Sequence, residues 1–272
     1  MRIAAGITLY NYTNDQVQRI REYSKSFDKV FLFDNSEVDY PKPKLELDDR
    51  FIVIPGEGNR GLPYAFNSII DRCGEYDFLC TLDQDSVFLT EDINKIKLYL
   101  ESYKDKDNLG VIAPYIDYGY TKHTVSESVE NKRWVITSGS FVNLNVLRKE
   151  KVYYDNAYFI DKFEIDLCEH LLALGYNVLM YHGSELHQSL GEASGHRHPN
   201  HSALRHYYLF RNRYYFNNKW HKGLKKWFLN IAQTIRHLIL IALYEKQPIE
   251  KISMLSNALK DYQRGKMGKF RS

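Results

Sequence analysis

The chain has 272 residues, 44% of them hydrophobic, enough to bury one sizeable core with a smaller helical appendage but not three independent domains. A formal charge of +3 lacks the excess of base that a dedicated nucleic-acid binder carries, so no nucleic-acid partner is expected. Lys and Arg nevertheless gather between His196 and Ser272, which makes a basic C-terminal face suited to phosphates or an anionic membrane surface.

The N-terminus runs directly into a strand-like segment, Ile3–Leu9, without the basic, apolar and cleavage regions of a secretion signal. Cys73, Cys80 and Cys168 lie in apolar stretches with no CxxC spacing, and an odd number cannot pair fully. They read as buried thiols in a reducing cytoplasm. Apolar runs Val30–Phe33, Phe51–Ile54, Phe78–Leu82 and Val111–Ala113 follow as buried strands, and Asp15–Ser26, Leu62–Cys73 and Glu91–Tyr103 between them have helical spacing. That alternation predicts a mostly parallel α/β sheet flanked by crossover helices, in which ligands bind beyond the carboxyl ends of the strands.

After a polar stretch from Asp117 to Lys132, the pattern predicts a strand over Trp134–Thr137 leading into Ser138-Gly139-Ser140. A helix over Phe163–Leu174, stopped by Gly175, and a strand over Tyr176–Tyr181 come next. Gly183–Asn200 is rich in Gly, Ser and His and reads as a loop. His201–Trp220, Leu224–Tyr244 and Pro248–Gly265 read as helices, so a catalytic domain over 1–200 and a helical region over 201–272 are expected. No uninterrupted apolar run is long enough to span a membrane; the longest is Leu238–Tyr244.

The strand ends carry Tyr10-Asn11, Asp34-Asn35-Ser36, Asn59-Arg60-Gly61 and Asp83-Gln84-Asp85. Two carboxylates one residue apart at the end of a buried strand suit Mg²⁺ or Mn²⁺, which share their shells with water and substrate phosphates. Asp83 and Asp85 are therefore the expected metal ligands, with His187 as a third. The other histidines, His182, His196, His198 and His201, lack zinc-site spacing and read as loop or surface residues. A second acidic group, Asp161, Glu164 and Asp166, opens a helix. Sugar transfer with inversion needs one carboxylate to deprotonate the acceptor hydroxyl, and Glu164 is the expected base with Asp161 or Asp166 as substitutes.

Gly56-Glu57-Gly58-Asn59-Arg60-Gly61 matches a dinucleotide fingerprint, but after the third strand rather than the first, and an oxidoreductase leaves both acidic groups unexplained. A sugar-phosphate nucleotidyltransferase would carry a Gly-rich basic loop after the first strand, where Tyr10-Asn11-Tyr12-Thr13 stands. Arg205, His206, Arg211 and Arg213 alternate with Tyr207, Tyr208, Tyr214 and Tyr215; such a helix either grips diphosphate oxygens or packs its tyrosines inward with arginines outside. Leu224–Tyr244 is amphipathic and basic, either a membrane-surface helix or one packed on its own domain or a second subunit.

Taken together, Thr8-Leu9-Tyr10-Asn11, Asp34-Asn35-Ser36, Asn59-Arg60-Gly61-Leu62 with Asn67, Leu82-Asp83-Gln84-Asp85-Ser86, Ser138-Gly139-Ser140, Phe159-Ile160-Asp161 with Glu164-Ile165-Asp166, and His201 through Arg205 to Arg211-Asn212 carry a resemblance. Over roughly residues 3 to 215 the chain resembles the inverting family 2 glycosyltransferases of the GT-A, Rossmann-like fold, and within them the bacterial rhamnosyltransferase-like group that builds surface polysaccharides. The resemblance implies that Asp34 contacts the base or ribose of a nucleoside diphosphate-sugar, dTDP-rhamnose or a UDP-hexose. It implies that Asp83 and Asp85 serve the ribose and the metal, and that Glu164 stands at the base position, usually an aspartate. Tyr10, Asn59, Arg60, Gly61, Asn67 and Ser138 fall among the donor-binding motifs, with Arg205 and Arg211 on the later helix. A lipid-linked saccharide acceptor at the cytoplasmic membrane face is implied as well, and the tail is expected to serve bilayer docking or a homodimer contact.

Overall fold

β1 (Ile3–Leu9) is buried along its whole length, as a strand must be when helices cover both faces of a parallel sheet. The computed structural model describes residues 1–45, 47–119, 124–188 and 200–271. They divide into two compact units, Met1–Asp155 with Glu164–Ser189, and Asn156–Phe163 with Leu190–Ser272.

In the first unit, β1 pairs in parallel with β2 (Lys29–Asp34) and with β4 (Phe78–Asp83), while β3 (Phe51–Pro55) pairs in parallel with β2. Helices α1 (Asn14–Ser24), α2 (Leu62–Ile70) and α3 (Thr90–Ser102) lie in the crossovers between these strands and after β4. α1 starts on a capping box: Thr13 Oγ1 accepts from the Gln16 amide and Gln16 Oε1 accepts from the Thr13 amide. Leu62-Pro63 opens α2 behind Gly61, with proline where a missing N–H costs nothing.

The remaining strands are β5 (Leu109–Asp117), β6 (Val129–Asn131), β7 (Ser140–Asn143) and β8 (Asn177–His187). Among the described residues the sheet order is β3-β2-β1-β4-β7-β5-β8-β6. β5 and β8 are parallel, whereas β7 runs antiparallel to both β4 and β5, and β6 antiparallel to β8. The sheet is thus mixed, with helices flanking it. Its core draws on Ile7, Leu32, Cys80, Ile96, Ile112 and Phe141, all almost wholly buried. All three cysteines are buried and free.

Two expectations need correction. Trp134–Thr137 is irregular, and the strand is Ser140–Asn143 instead. Residues 137–139 turn back on β4: Gly139 N donates to Thr81 O and Gly139 sits at φ +79°, so regular pairing begins only after it. Gly183–His187, expected as loop, continues β8, because beside Tyr115–Asp117 it still finds ladder partners. α4 (Leu144–Glu150), capped by Asn143, and the short β6 were not anticipated.

The second unit holds α6 (Ala203–Trp220), α7 (Gly223–Tyr244) and α8 (Pro248–Gln263) around Phe159, Tyr207, Tyr208, Phe210, Ile241 and Ala258. Phe159 stacks on Tyr208 with ring centroids 5.1 Å apart, which ties Asn156–Phe163 to these helices. α5 (Phe163–Ala173) then carries Glu164 and Asp166 in the first unit.

Phe141, at the middle of β7, lies beside the rings of Phe27 and Phe88 at 6.4 and 6.5 Å. Phe141→Ala should cost about 3–5 kcal/mol of unfolding free energy, read from a urea transition with unchanged slope.

Candidate active site

The parallel ladder sets the site. Leu9 pairs with Asp34 on one side of β1 and Thr8 with Asp83 on the other, so two aspartates bracket the carboxyl end of the central strand. Two strand spacings separate them by about 10 Å between backbones. Asp34 is nearly buried, 2.7 Å from Lys42 Nζ, and accepts from the Ser36 amide at 3.1 Å. Burial raises its carboxyl pKa, but Lys42 and Ser36 outweigh that effect and hold it below the ordinary value.

Gln84, between the two aspartates of the motif, works on the backbone. Its Oε1 accepts from the Tyr10 amide at 2.6 Å and its Nε2 donates to the Tyr10 carbonyl at 3.0 Å. This pair of hydrogen bonds fixes the turn after β1, and the Tyr10 side chain is exposed. Asn11, at φ +45°, donates its amide N–H to Ser36 Oγ at 2.9 Å, which joins that turn to the end of β2.

Asn35 donates to Asn59 Oδ1 at 3.1 Å and accepts from the Arg60 amide at 2.7 Å; Asn59 Oδ1 also accepts from the Gly61 amide. A Cβ on Gly56 would lie 2.2 Å from the Asp34 carbonyl, and Gly58 and Gly61 have φ of +100° and +88°. The GxGxxG spacing therefore follows from a loop pressed against β2. Arg60 stacks on Tyr64, 4.3 Å from the ring centroid.

Asp83 is half-buried and Asp85 exposed. The Asp83 amide donates to Ser86 Oγ at 3.1 Å and to Ser138 Oγ at 3.4 Å, and the two hydroxyls are in short contact with each other. Ser138 is 1% exposed and braces the motif through that contact. Asn67 donates to Tyr154 O at 2.8 Å and accepts from Tyr154 N at 3.0 Å, pinning that segment.

Among the described residues no three His, Cys, Asp or Glu side chains converge as a metal-binding set, so Asp83, Asp85 and His187 are not assembled into one. His187 pairs through its backbone with Val87 while its Nδ1 lies 3.0 Å from Asp117 Oδ2, the neighbour that the β5–β8 register gives it. The two remaining carboxylates are hard oxygen donors at a partly exposed strand end. They fit a small divalent cation that completes its shell with water and phosphate oxygens. His196 and His198 lie outside the described residues.

Of the second acidic group, Glu164 is half-buried and Asp166 only 3% exposed. Asp161 belongs to the second unit, where Arg205 forks onto its carboxylate at 2.9 and 3.3 Å. Asp161 and Lys162 have φ of +60° and +76°, a conformation that costs about 1–3 kcal/mol per residue. Asn212, not singled out for any role by sequence, holds it by donating to the carbonyls of Ile160 and Asp161 at 2.6 and 3.2 Å.

Arg211, expected on the diphosphate, is 1% exposed; it donates to Tyr207 Oη, Gly268 O and Asn212 Oδ1. α6 buries tyrosines and arginines together rather than holding its arginines outside, and Arg205 alone of its three arginines is exposed. His201 lies near Arg205, and burial first, then that charge, push its pKa down to about 4.

The model of glycosyl transferase family 2 matches residues 10–167. No curated protein sequence matches the chain significantly. Among solved structures, S. aureus TarS 1-349 in complex with UDP-GlcNAc is similar with a TM-score of 0.59 and 13% identity, over 97% of this chain and 81% of that one. GalNAc-T7 with UDP, GalNAc and Mn²⁺ is similar with a TM-score of 0.56 and 14% identity, over 70% of this chain, which spans 44% of that one. At such identities the likeness carries the fold alone.

Above pH 6.5 His201 is neutral in both folded and unfolded chains; below it the unfolded chain takes up a proton that the folded one refuses until pH is about 4. Stability should therefore fall across that window as pH drops. His201→Gln should lessen the decline in melting temperature between those limits, and an unchanged slope would exclude this residue as its source.

Proposed function

We propose, from the premise that this chain belongs to glycosyl transferase family 2, that it moves a sugar with inversion from a nucleoside diphosphate onto a hydroxyl of a saccharide acceptor. The bracketing of the β1 end by Asp34 and Asp83 carries the reading. Asp34 suits the ribose or base, and the loop built on Asn35, Asn59 and Arg60 walls the same end of the sheet. Asp83 and Asp85 would hold Mn²⁺ or Mg²⁺, which when bound neutralises charge on the leaving diphosphate. TarS with UDP-GlcNAc and GalNAc-T7 with UDP, GalNAc and Mn²⁺ support a UDP-sugar donor by their shared fold. A dTDP-rhamnose donor and a role in surface polysaccharide synthesis rest on the motif resemblance, as does a lipid-linked acceptor on the cytoplasmic side.

The acceptor oxygen forms its bond to the anomeric carbon as the bond to the diphosphate breaks, and its proton passes to a carboxylate. Glu164 is the best placed of the three candidates. Both Asp161 oxygens already accept from Arg205, and Asp166 is buried. Gln84 and Ser138 act through the backbone, keeping the turn after β1 and the Asp83 amide in register.

Thermal-shift measurements against UDP, dTDP, GDP and NAD, each with and without Mn²⁺, should give a metal-dependent rise for one nucleoside diphosphate and none for NAD. Asp85→Ala should lower Mn²⁺-dependent donor hydrolysis and transfer together by about a hundredfold or more; undiminished rates would remove the metal from this corner. Glu164→Gln should bind donor as tightly as the parent while transfer drops by about 10²–10⁴. Full turnover in that variant would shift the base to Asp161 or Asp166.

A further inference from the structure

α7 is built inside out. From Asn230 to His237 its inward face is polar, and only beyond that do Leu238 and Ile241 join the apolar core: Asn230 and Gln233 accept from Asn217 at 2.8 and 3.0 Å, Thr234 Oγ1 accepts from Arg213 at 3.1 Å, and His237 lies 3.1 Å from the same guanidinium. Its outward face is apolar. Leu224, Trp227, Phe228, Ile231, Ile235 and Ile239 follow one another at helical spacing and form a stripe about 24 Å long. Leu224 is 86% exposed, Trp227 65% and Phe228 64%. A water-facing helix has the reverse polarity, and an apolar stripe of this length marks a surface that something covers.

We infer that α7 lies flat in the headgroup layer of an anionic lipid bilayer, with this stripe against the acyl chains. The charge pattern selects that occupant. From Gly223 to Tyr244 there is no acidic residue, while Lys225, Lys226 and Arg236 lie within the helix and Lys222 and Lys246 flank it. Glu245, the first acid beyond it, is buried and bound to His206 and Lys251 at 2.9 Å each. Two copies meeting through this face would bring like charges together, whereas anionic headgroups neutralise them.

α7 has the length and composition to cross a membrane, although its longest unbroken apolar run, Leu238–Tyr244, is too short to span one. Its hydrogen bonds to α6 exclude crossing, because Asn230, Gln233, Thr234 and His237 would have to leave their partners for hydrocarbon. Lying in the plane satisfies both faces. The inference stands on the second unit alone and is independent of the donor and acceptor proposed above.

The test is sedimentation of the full chain with vesicles of phosphatidylcholine, either alone or mixed with phosphatidylglycerol. Binding should require phosphatidylglycerol. It should weaken about fivefold for each of Lys225→Ala, Lys226→Ala and Arg236→Ala, and about tenfold or more for Ile235→Glu, whose exposed position leaves the melting curve unchanged. Fluorescence of the bound chain should shift to the blue, and Trp227→Phe should remove most of that shift. Absence of binding to anionic vesicles would overturn the inference, as would equal binding by Ile235→Glu or equal binding to phosphatidylcholine alone. A dimer that Ile235→Glu dissociates, without vesicle binding, would assign the face to a second copy instead.

Discussion

Four residues hold the sheet of the first unit together. β7 is antiparallel to β4 on one side and to β5 on the other, and it joins the parallel set β3-β2-β1-β4 to the set β5-β8-β6. Without it β4 would be an open edge beside Asp83. Thr81 anchors the approach to β7: its buried hydroxyl donates to Thr137 O at 2.6 Å, and its carbonyl accepts from Gly139. The turn favours glycine at 139, where a Cβ would fall 2.7 Å from a Leu186 methyl and the backbone is left-handed. The same turn delivers Ser138 to the Asp83 amide, so the strand that completes the fold also sets the motif.

Most of the polar side chains gathered at this end of the sheet serve the backbone. Gln84, Asn35 and Asn67 each make two hydrogen bonds to main-chain or amide groups of another segment, and Asn59 makes one to Asn35 and one to the Gly61 amide in its own loop. A buried amide or hydroxyl left without a partner costs about 1–3 kcal/mol, so such residues are drawn into the scaffold. Rigid loops result, and Asp83, Asp85 and the Tyr10 ring are left at the accessible surface. A site that acts by positioning and charge needs that division between residues that hold and residues that touch.

In the second unit the interior is unusually polar. Glu245 accepts from both His206 and Lys251, and Lys251 also donates to Asn200 at 2.7 Å. Burial raises the Glu245 carboxyl pKa, but Lys251 and His206 together bring it below the usual value. Buried charges persist only when paired in this way. Arg211 and Arg213 are buried too, held by hydrogen bonds to neutral groups of Tyr207, Gly268, Asn212, Thr234 and Gln233. With its polar residues engaged inside, the unit turns the apolar stripe of α7 outward.

Local pattern alone determined a good deal. The run of alternating apolar strands and amphipathic helices up to Tyr103, the two aspartates at the end of β4, and the family resemblance are properties of neighbouring residues and need no fold to be read. Tertiary structure decided the rest. That Ser138, Asn67 and Arg211 hold backbone, that His187 turns to Asp117, and that Asp161 belongs with the C-terminal helices depend on partners distant in sequence. So does the strand at Ser140–Asn143, whose register comes from β4 and β5. Hydrophobic periodicity says that one face of a helix differs from the other, but which face is buried depends on what lies beside it, and for α7 the neighbour is the polar side of α6.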